Sequence, residues 1–322
     1  MKTVVTRSPE EAARFVREGD VAAFPTETVY GLGAAIFDAG AIRKVFEAKA
    51  RPVDNPLIAH IATTDQIACV ASNVPESARR FVEAFFPGPL TVVLRKHPEV
   101  PAIATAGLDT IGVRMPAHPL ANTFLAACAT PVVAPSANRS GRPSPTTWQA
   151  VLADLDGRIP CILAGDRTAV GLESTVVDCT IAVPLVLRPG AISVGQLATL
   201  VPGTRLVVGS DGEASRRSPG TRHRHYAPRA RVVVVASPAE VAAPTGAAFI
   251  GIDSPDRPES FATVRLCRSP AEYAHELFAY FRDCDAAAIP VVYCQLVPGE
   301  GVGAAINDRI RRAAAGFFSL EV

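Results

Sequence analysis

Val21-Ala22-Ala23-Phe24-Pro25-Thr26-Glu27-Thr28-Val29-Tyr30-Gly31-Leu32-Gly33 decides the reading of the fold, because an apolar run ends abruptly in a polar, hydroxyl-rich stretch. Residues 21–24 read as a strand. In open α/β sheets ligands gather where strands end, so Thr26, Glu27 and Thr28 are placed to line a pocket. Upstream, Ser8-Pro9-Glu10-Glu11 marks a helix start, with Ser8 as N-cap, Pro9 in the first turn and Glu11 completing a capping box. Downstream, Asp38 caps a second helix whose Ile42, Val45 and Phe46 share a face and which Arg51-Pro52 ends. Apolar runs at 57–61, 90–94, 111–113, 132–133 and 174–177 read as further strands, enough to imply one large sheet.

The chain has 322 residues and 48% hydrophobic content, which suits two cores, since a single core stops growing near ~250 residues. We divide it into residues 1–202, a linker over 203–231 and a second domain over 232–322. Within the linker, residues 216–231 hold six arginines, two histidines and no acid. Beyond it, runs at 232–235, 247–252, 264–266 and 289–296 alternate with helical patterns such as 270–284, which predicts a small parallel sheet. A net charge of +1 argues against a protein that holds nucleic acid over a broad surface, so any RNA contact is expected to be local or transient. The seven cysteines form no CxxC pair and no metal-ligand spacing, and read as reduced, buried residues. No signal core and no run of ~20 apolar residues is present, so the expectation is a cytoplasmic protein with no membrane partner.

Other segments carry polar chemistry. Lys49-Ala50-Arg51-Pro52 joins two cations and is followed by Asn55-Pro56-Leu57 and His60. Arg114 lies in an apolar run, where an unpaired guanidinium is costly, so it needs an internal carboxylate or an anionic ligand. The stretch Ala134-Pro135-Ser136-Ala137-Asn138-Arg139-Ser140-Gly141-Arg142-Pro143-Ser144-Pro145-Thr146 is stiffened by proline and rich in donors suited to phosphate oxygens. Gly171-Leu172-Glu173-Ser174-Thr175 and Arg188-Pro189-Gly190 complete the set. Lys49, Arg51, Arg114 and Arg188 together form a candidate anion site for a polyanionic substrate. No Walker A motif occurs, and Gly299-Glu300-Gly301-Val302-Gly303 is only a partial glycine loop, so ATP binding would not use a P-loop.

In this order the motifs resemble the threonylcarbamoyl-AMP synthase family, through FPTETVYGLG, KARP, NPL with His60, PGPLT, GVRMP, PSANRSGRPSPT, GLESTVVD and RPG. SPGTRHRHYAP, residues 218–228, resembles the linker of its two-domain members. The resemblance implies an α/β fold: a twisted, mostly parallel YrdC-like sheet with a concave basic cavity, plus a small Rossmann-like C-terminal domain. It implies an ATP-dependent nucleotidyltransferase that joins L-threonine, bicarbonate or CO2, and ATP with Mg2+ into threonylcarbamoyl-AMP and pyrophosphate. The product would pass to tRNA threonylcarbamoyl transferase proteins that modify adenosine in tRNA. Carried over by position, Thr28, His60, Arg114 and Ser174 form the threonine set. Arg51, Asn55, Thr110, Ser136, Ser144, Arg188 and Tyr226 form the ATP set. Lys49, Arg51 and Arg114 are the catalytic candidates; Thr26, Asn138 and the lid residue His225 support them. The resemblance implies no protein-held metal, with Mg2+ riding on ATP. Alanine at position 50 departs from the family's usual glycine. The competing readings are a tRNA or double-stranded RNA binder without chemistry, the carbamoyl-transfer module of hydrogenase maturation proteins, which carry zinc-finger segments whose CxxC pairs are missing from this sequence, and a nucleotide-binding paralogue without threonine specificity.

Overall fold

The computed structural model describes residues 2–207, 226–241 and 246–315. Strand β1 (Val4–Thr6) leads into helix α1 (Pro9–Arg17), followed by β2 (Ala22–Phe24), β3 (Gly31–Ala35), α2 (Ala39–Lys49) and β4 (Ile58–His60). Next come α3 (Ile67–Val70), β5 (Ala71–Asn73), α4 (Glu76–Phe85), β6 (Leu90–Lys96), β7 (Thr110–Arg114), α5 (Pro119–Cys128) and β8 (Val132–Ala134). The larger unit ends with α6 (Trp148–Leu155), β9 (Cys161–Leu163), β10 (Thr175–Asp178), β11 (Leu185–Arg188), α7 (Val194–Leu200) and β12 (Arg205–Leu206).

Local chemistry explains the helix ends near the site. Ser8 Oγ accepts from the Glu11 amide, but the Glu11 carboxylate turns to Thr6 Oγ1, so only half of the expected capping box forms. Asp38 accepts from the Gly40 and Ala41 amides, and α2 buries Ile42, Val45 and Phe46. The helix stops because Ala50 takes a left-handed conformation at φ 49°, a position glycine occupies without steric cost.

The strands form one sheet in the order β1-β9-β2-β3-β8-β4-β7-β6-β10-β11-β12, with β5 pairing separately to β6. The α/β class agrees with the sequence reading, but the mostly parallel sheet does not. The β2–β3, β3–β8, β8–β4, β7–β6, β10–β11 and β5–β6 pairs are antiparallel, while β1–β9, β9–β2, β4–β7, β6–β10 and β11–β12 are parallel. For β2–β3 and β10–β11 the physical reason is connection length. Residues 25–30 and 179–184 are shorter than the roughly dozen residues a parallel crossover needs, so the chain must turn back on itself. Hence the polar stretch after β2 is a hairpin turn leading into β3.

The smaller unit comprises β13 (Arg231–Val235), β14 (Ala248–Gly251), β15 (Thr263–Leu266), helix α8 (Pro270–Ala286), β16 (Val291–Gln295) and helix α9 (Gly303–Ala314). Its four strands are all parallel, in the order β13-β16-β14-β15. Its core of Tyr273, Phe278, Phe281, Ile306 and Ile310 also takes in Val29 and Leu172 from the larger unit. The two units therefore share a hydrophobic seam. At that seam Gly171, at φ 83°, leaves no room for a side chain: a Cβ there would lie 2.6 Å from the Ala274 carbonyl oxygen and from His275 Cα.

The linker boundaries shift accordingly. Strand β12 pairs with β11 inside the expected linker, and Tyr226, Ala227 and Ala230 are buried at its other end. Residues 208–225, including His225, lie outside the described residues. All seven cysteines are unpaired, and all but Cys69 are buried.

Candidate active site

A cleft of about 600 Å³, counting its open mouth, is lined by residues from widely separated segments. Its floor is a face of the sheet. Ile58 and His60 alternate onto one side of β4; His60 sits beside Arg114 of β7, and Ile58 opposite Ala134 of β8. The β2–β3 turn adds Thr26 and Thr28, the exit of α2 adds Arg51, and Ser136 follows β8. Glu173 and Ser174 precede β10, Arg188 ends β11, and Tyr226 closes one wall. Gly190 keeps the turn after β11 tight, since a Cβ there would lie 2.2 Å from the Thr175 amide nitrogen.

Arg114 finds the internal carboxylate its burial demands. Its Nη2 lies 2.8 Å from Glu27 Oε2, Nη1 donates to Thr28 Oγ1 at 2.8 Å, and Nε donates to the Gly88 carbonyl. Thr26 donates to the Val29 carbonyl at 2.6 Å, so the Thr28 hydroxyl, 2.9 Å away, donates to Thr26. A directed chain thus runs from Arg114 through Thr28 to Thr26. Arg188 grips Ser174 through the carbonyl, at 3.1 Å from Nε, and through the hydroxyl, at 3.2 Å from Nη2.

Arg51 donates from Nη2 to the carbonyls of Asn55 and Pro56, at 3.3 and 3.2 Å, while its buried Nε has no hydrogen-bond partner. Burial, with Arg188 adding repulsion against the opposing pull of Tyr226 and Asp54, lowers its pKa to about 10, so it remains cationic at neutral pH. Burial and the neighbouring Arg114 push the His60 imidazole down to about 3, leaving it neutral.

Lys49 departs from the expected arrangement. It is buried, its Nζ donates to the Ser136 carbonyl at 2.6 Å and to the Asn138 carbonyl, and it is absent from the cleft lining. Burial first, then Arg51, holds its pKa well below the ordinary lysine value. The ammonium therefore braces the 134–146 loop from behind. Asn138 bonds within that loop, accepting from Ser136 Oγ and donating to the Arg139 and Arg142 carbonyls, and Ser144 donates to Glu173 Oε1 at 2.5 Å. Thr110 opens β7, and Asn55 presents its carbonyl to Arg51. None of these four side chains lines the cleft.

The sequence reading did not assign Glu173 or Arg309. Arg309 comes from α9 of the smaller unit, is fully buried, and its Nε lies 2.8 Å from Glu173 Oε2. Its side chain belongs to the apolar stripe of Ala305, Ile306, Ile310 and Ala313, the same anomaly that singled out Arg114. Tyr226 stacks on Phe278 at 5.4 Å and receives the Arg309 guanidinium at 5.2 Å from its ring centre. Among the described residues no cluster of three or more His, Cys, Asp or Glu could hold a metal, and no helix is long and apolar enough to cross a membrane.

Two family models match the chain: one described as "Telomere recombination" (Sua5, YciO and YrdC) over residues 14–190, the other as "Threonylcarbamoyl-AMP synthase, C-terminal domain" over 192–315. A Pyrococcus abyssi threonylcarbamoyl-AMP synthase is 41% identical over 94% of this chain and 93% of its own. A Bacillus subtilis protein of the same name is 38% identical over 97% and 94%. The structure of P. abyssi Sua5 complexed with L-threonine superposes with a TM-score of 0.88 at 38% identity, covering 98% of this chain and 97% of that one.

Proposed function

From the premise that this chain belongs to the threonylcarbamoyl-AMP synthase family, we propose that it joins L-threonine, bicarbonate or CO2, and ATP into threonylcarbamoyl-AMP and pyrophosphate. In this reading the threonine amine forms a carbamate either by attacking the carbon of CO2, with a proton passing to solvent, or by attacking bicarbonate, whose hydroxyl leaves with the amine proton as water. A carbamate oxygen then attacks the α-phosphorus of ATP, and the bond to the departing pyrophosphate breaks. Both partners are anionic, so the main barrier to their meeting is charge repulsion.

Arg114 is suited to the threonine carboxylate, because its hydrogen bonds to Gly88 and Thr28 use the Nε–H and one N–H of Nη1, which leaves N–H groups on both Nη atoms beside Glu27. Thr28, His60 and Ser174 surround that point, with Thr26 supporting Thr28. Arg51, Ser136, Arg188 and Tyr226 would face the nucleotide. Lys49, Asn55, Asn138 and Ser144 would act behind the wall by fixing loops, and Thr110 by seating β7. The lid role of His225 falls on residues outside those described. Neither Lys49, which donates to two carbonyls, nor His60, weakened to about 3, suits a general base. Positioning and electrostatic stabilisation therefore carry the chemistry. Among the described residues the one carboxylate on the cleft wall, Glu173, already accepts from Ser144 and Arg309, which fits Mg2+ held by phosphate oxygens and shielding their charge. The product would serve tRNA threonylcarbamoyl transferase proteins in the cytoplasm.

The observation that carries this reading is the convergence of Arg51, Arg114 and Arg188 on one cleft, with the buried Arg51 Nε left without a protein acceptor. The test is to incubate the purified protein with ATP, L-threonine, bicarbonate and Mg2+, then assay pyrophosphate and the mixed anhydride. Both should appear only when all components are present. Pyrophosphate release indifferent to threonine would overturn the proposal.

A further inference from the structure

The cleft wall contains an acid that is out of place in a site for polyanions. Glu173 lines the cavity between Ser174 and the Ser144 hydroxyl, close to where a triphosphate would lie. Left alone, its charge would repel phosphate and offset one of the three arginines. Its counter-charge comes from the other unit: Arg309 Nε sits 2.8 Å from Glu173 Oε2. The same guanidinium donates to the Pro189 carbonyl at 3.1 Å and lies over the ring of Tyr226. Its remaining acidic neighbour, Asp308, is also paired with Arg312 at 2.9 Å, so Asp308 does not withdraw Arg309 from Glu173. Four guanidiniums, those of Arg51, Arg114, Arg188 and Arg309, thus stand against the two carboxylates of Glu27 and Glu173, a surplus of two positive charges.

Resting on the ATP-binding reading above, we infer that Arg309 is a positioning residue of the nucleotide subsite, supplied by the smaller unit, which neutralises Glu173 and holds Tyr226 and Pro189 against the cleft. The smaller unit would then set ATP affinity without touching ATP. Threonine, placed at Arg114 with its own partner Glu27, should not sense the change.

The test uses the full-length protein and measures Mg-ATP and L-threonine binding by calorimetry. Arg309→Met should weaken ATP about tenfold, from one uncompensated charge near the phosphates at an intermediate effective dielectric, with threonine affinity within about twofold. Adding Glu173→Gln to that variant should restore most of the ATP affinity, which repair of packing alone would not do. Glu173→Gln by itself, which keeps Arg309, should tighten ATP about threefold, and this variant carries the test should Arg309→Met fail to fold. Unchanged ATP affinity in Arg309→Met, equal loss of both ligands, no recovery in the double variant, or weaker ATP binding in Glu173→Gln would each overturn the inference. Failure of the unsubstituted protein to bind ATP at all would overturn both this inference and the adenylation reading.

Discussion

Glu173 lines the cleft and Glu27 pairs with an arginine that lines it; each is matched to a single arginine, but the two pairs are assembled differently. Glu27 and Arg114 both belong to the larger unit, joined through the β2–β3 turn and the end of β7. Glu173 waits for Arg309 from a helix 136 residues further along the chain. The first pair is complete once one sheet has formed; the second exists only after two folded units have docked. One cleft therefore contains a locally determined subsite and one that reports on the joining of domains.

The comparison is broken most severely at Arg114. Arg114→Ala should abolish threonine-dependent pyrophosphate release to below about one part in a thousand. It should also cost roughly 3–5 kcal/mol of stability, because Glu27 is left buried without its partner. Urea unfolding beside the pyrophosphate assay checks both; a variant that stays as stable as the parent would show that the local pair is not what holds this wall.

A smaller effect should come from another ionic contact across the seam. Asp154 lies 2.8 Å from both Arg282 of the smaller unit and Arg142 of the larger. Burial raises its pKa, but Arg282 and then Arg142 outweigh it and hold the carboxyl below 3.8. A depressed folded-state pKa contributes stability that is present above the unfolded value and lost as pH falls through the folded one. Asp154→Asn should thus be less stable than the parent at pH 6, with the gap closing below about pH 4. Unfolding midpoints measured across that range decide it, and a gap independent of pH would remove the ionic explanation.

The smallest effect sharpens the contrast from within one unit. Ala50 holds a left-handed conformation where the family usually has glycine, so Ala50→Gly should stabilise the protein by about 0.5–1 kcal/mol, the steric relief exceeding the entropy lost. Thermal unfolding with intact ATP binding is the expected result. Destabilisation would mean that this turn is determined by its contacts.

How much of this was legible follows the same division. The α2 cap at Asp38, the four small-unit strands and the need of Arg114 for a carboxylate are local matters of periodicity and charge in an apolar run. The direction of the large-unit strands was not, because it depends on whether a short link can cross over and, for strands far apart in the chain, on which partners the sheet brings together. The position of Lys49 behind its loop was hidden as well, since KxR spacing gives proximity to a helix end but not the acceptor its ammonium chooses. Arg309 was within reach: an arginine on the apolar stripe of α9 carries the same sign as Arg114 in β7. Its partner was not, being set only by tertiary docking.

The Lys49 ammonium has a consequence for timing. Because it fastens the Ser136 and Asn138 carbonyls during folding, the donor-rich loop meets each incoming molecule already shaped. Immobilising free backbone costs on the order of 1 kcal/mol per residue, and here that entropy is surrendered once in the lifetime of the protein, not at every turnover.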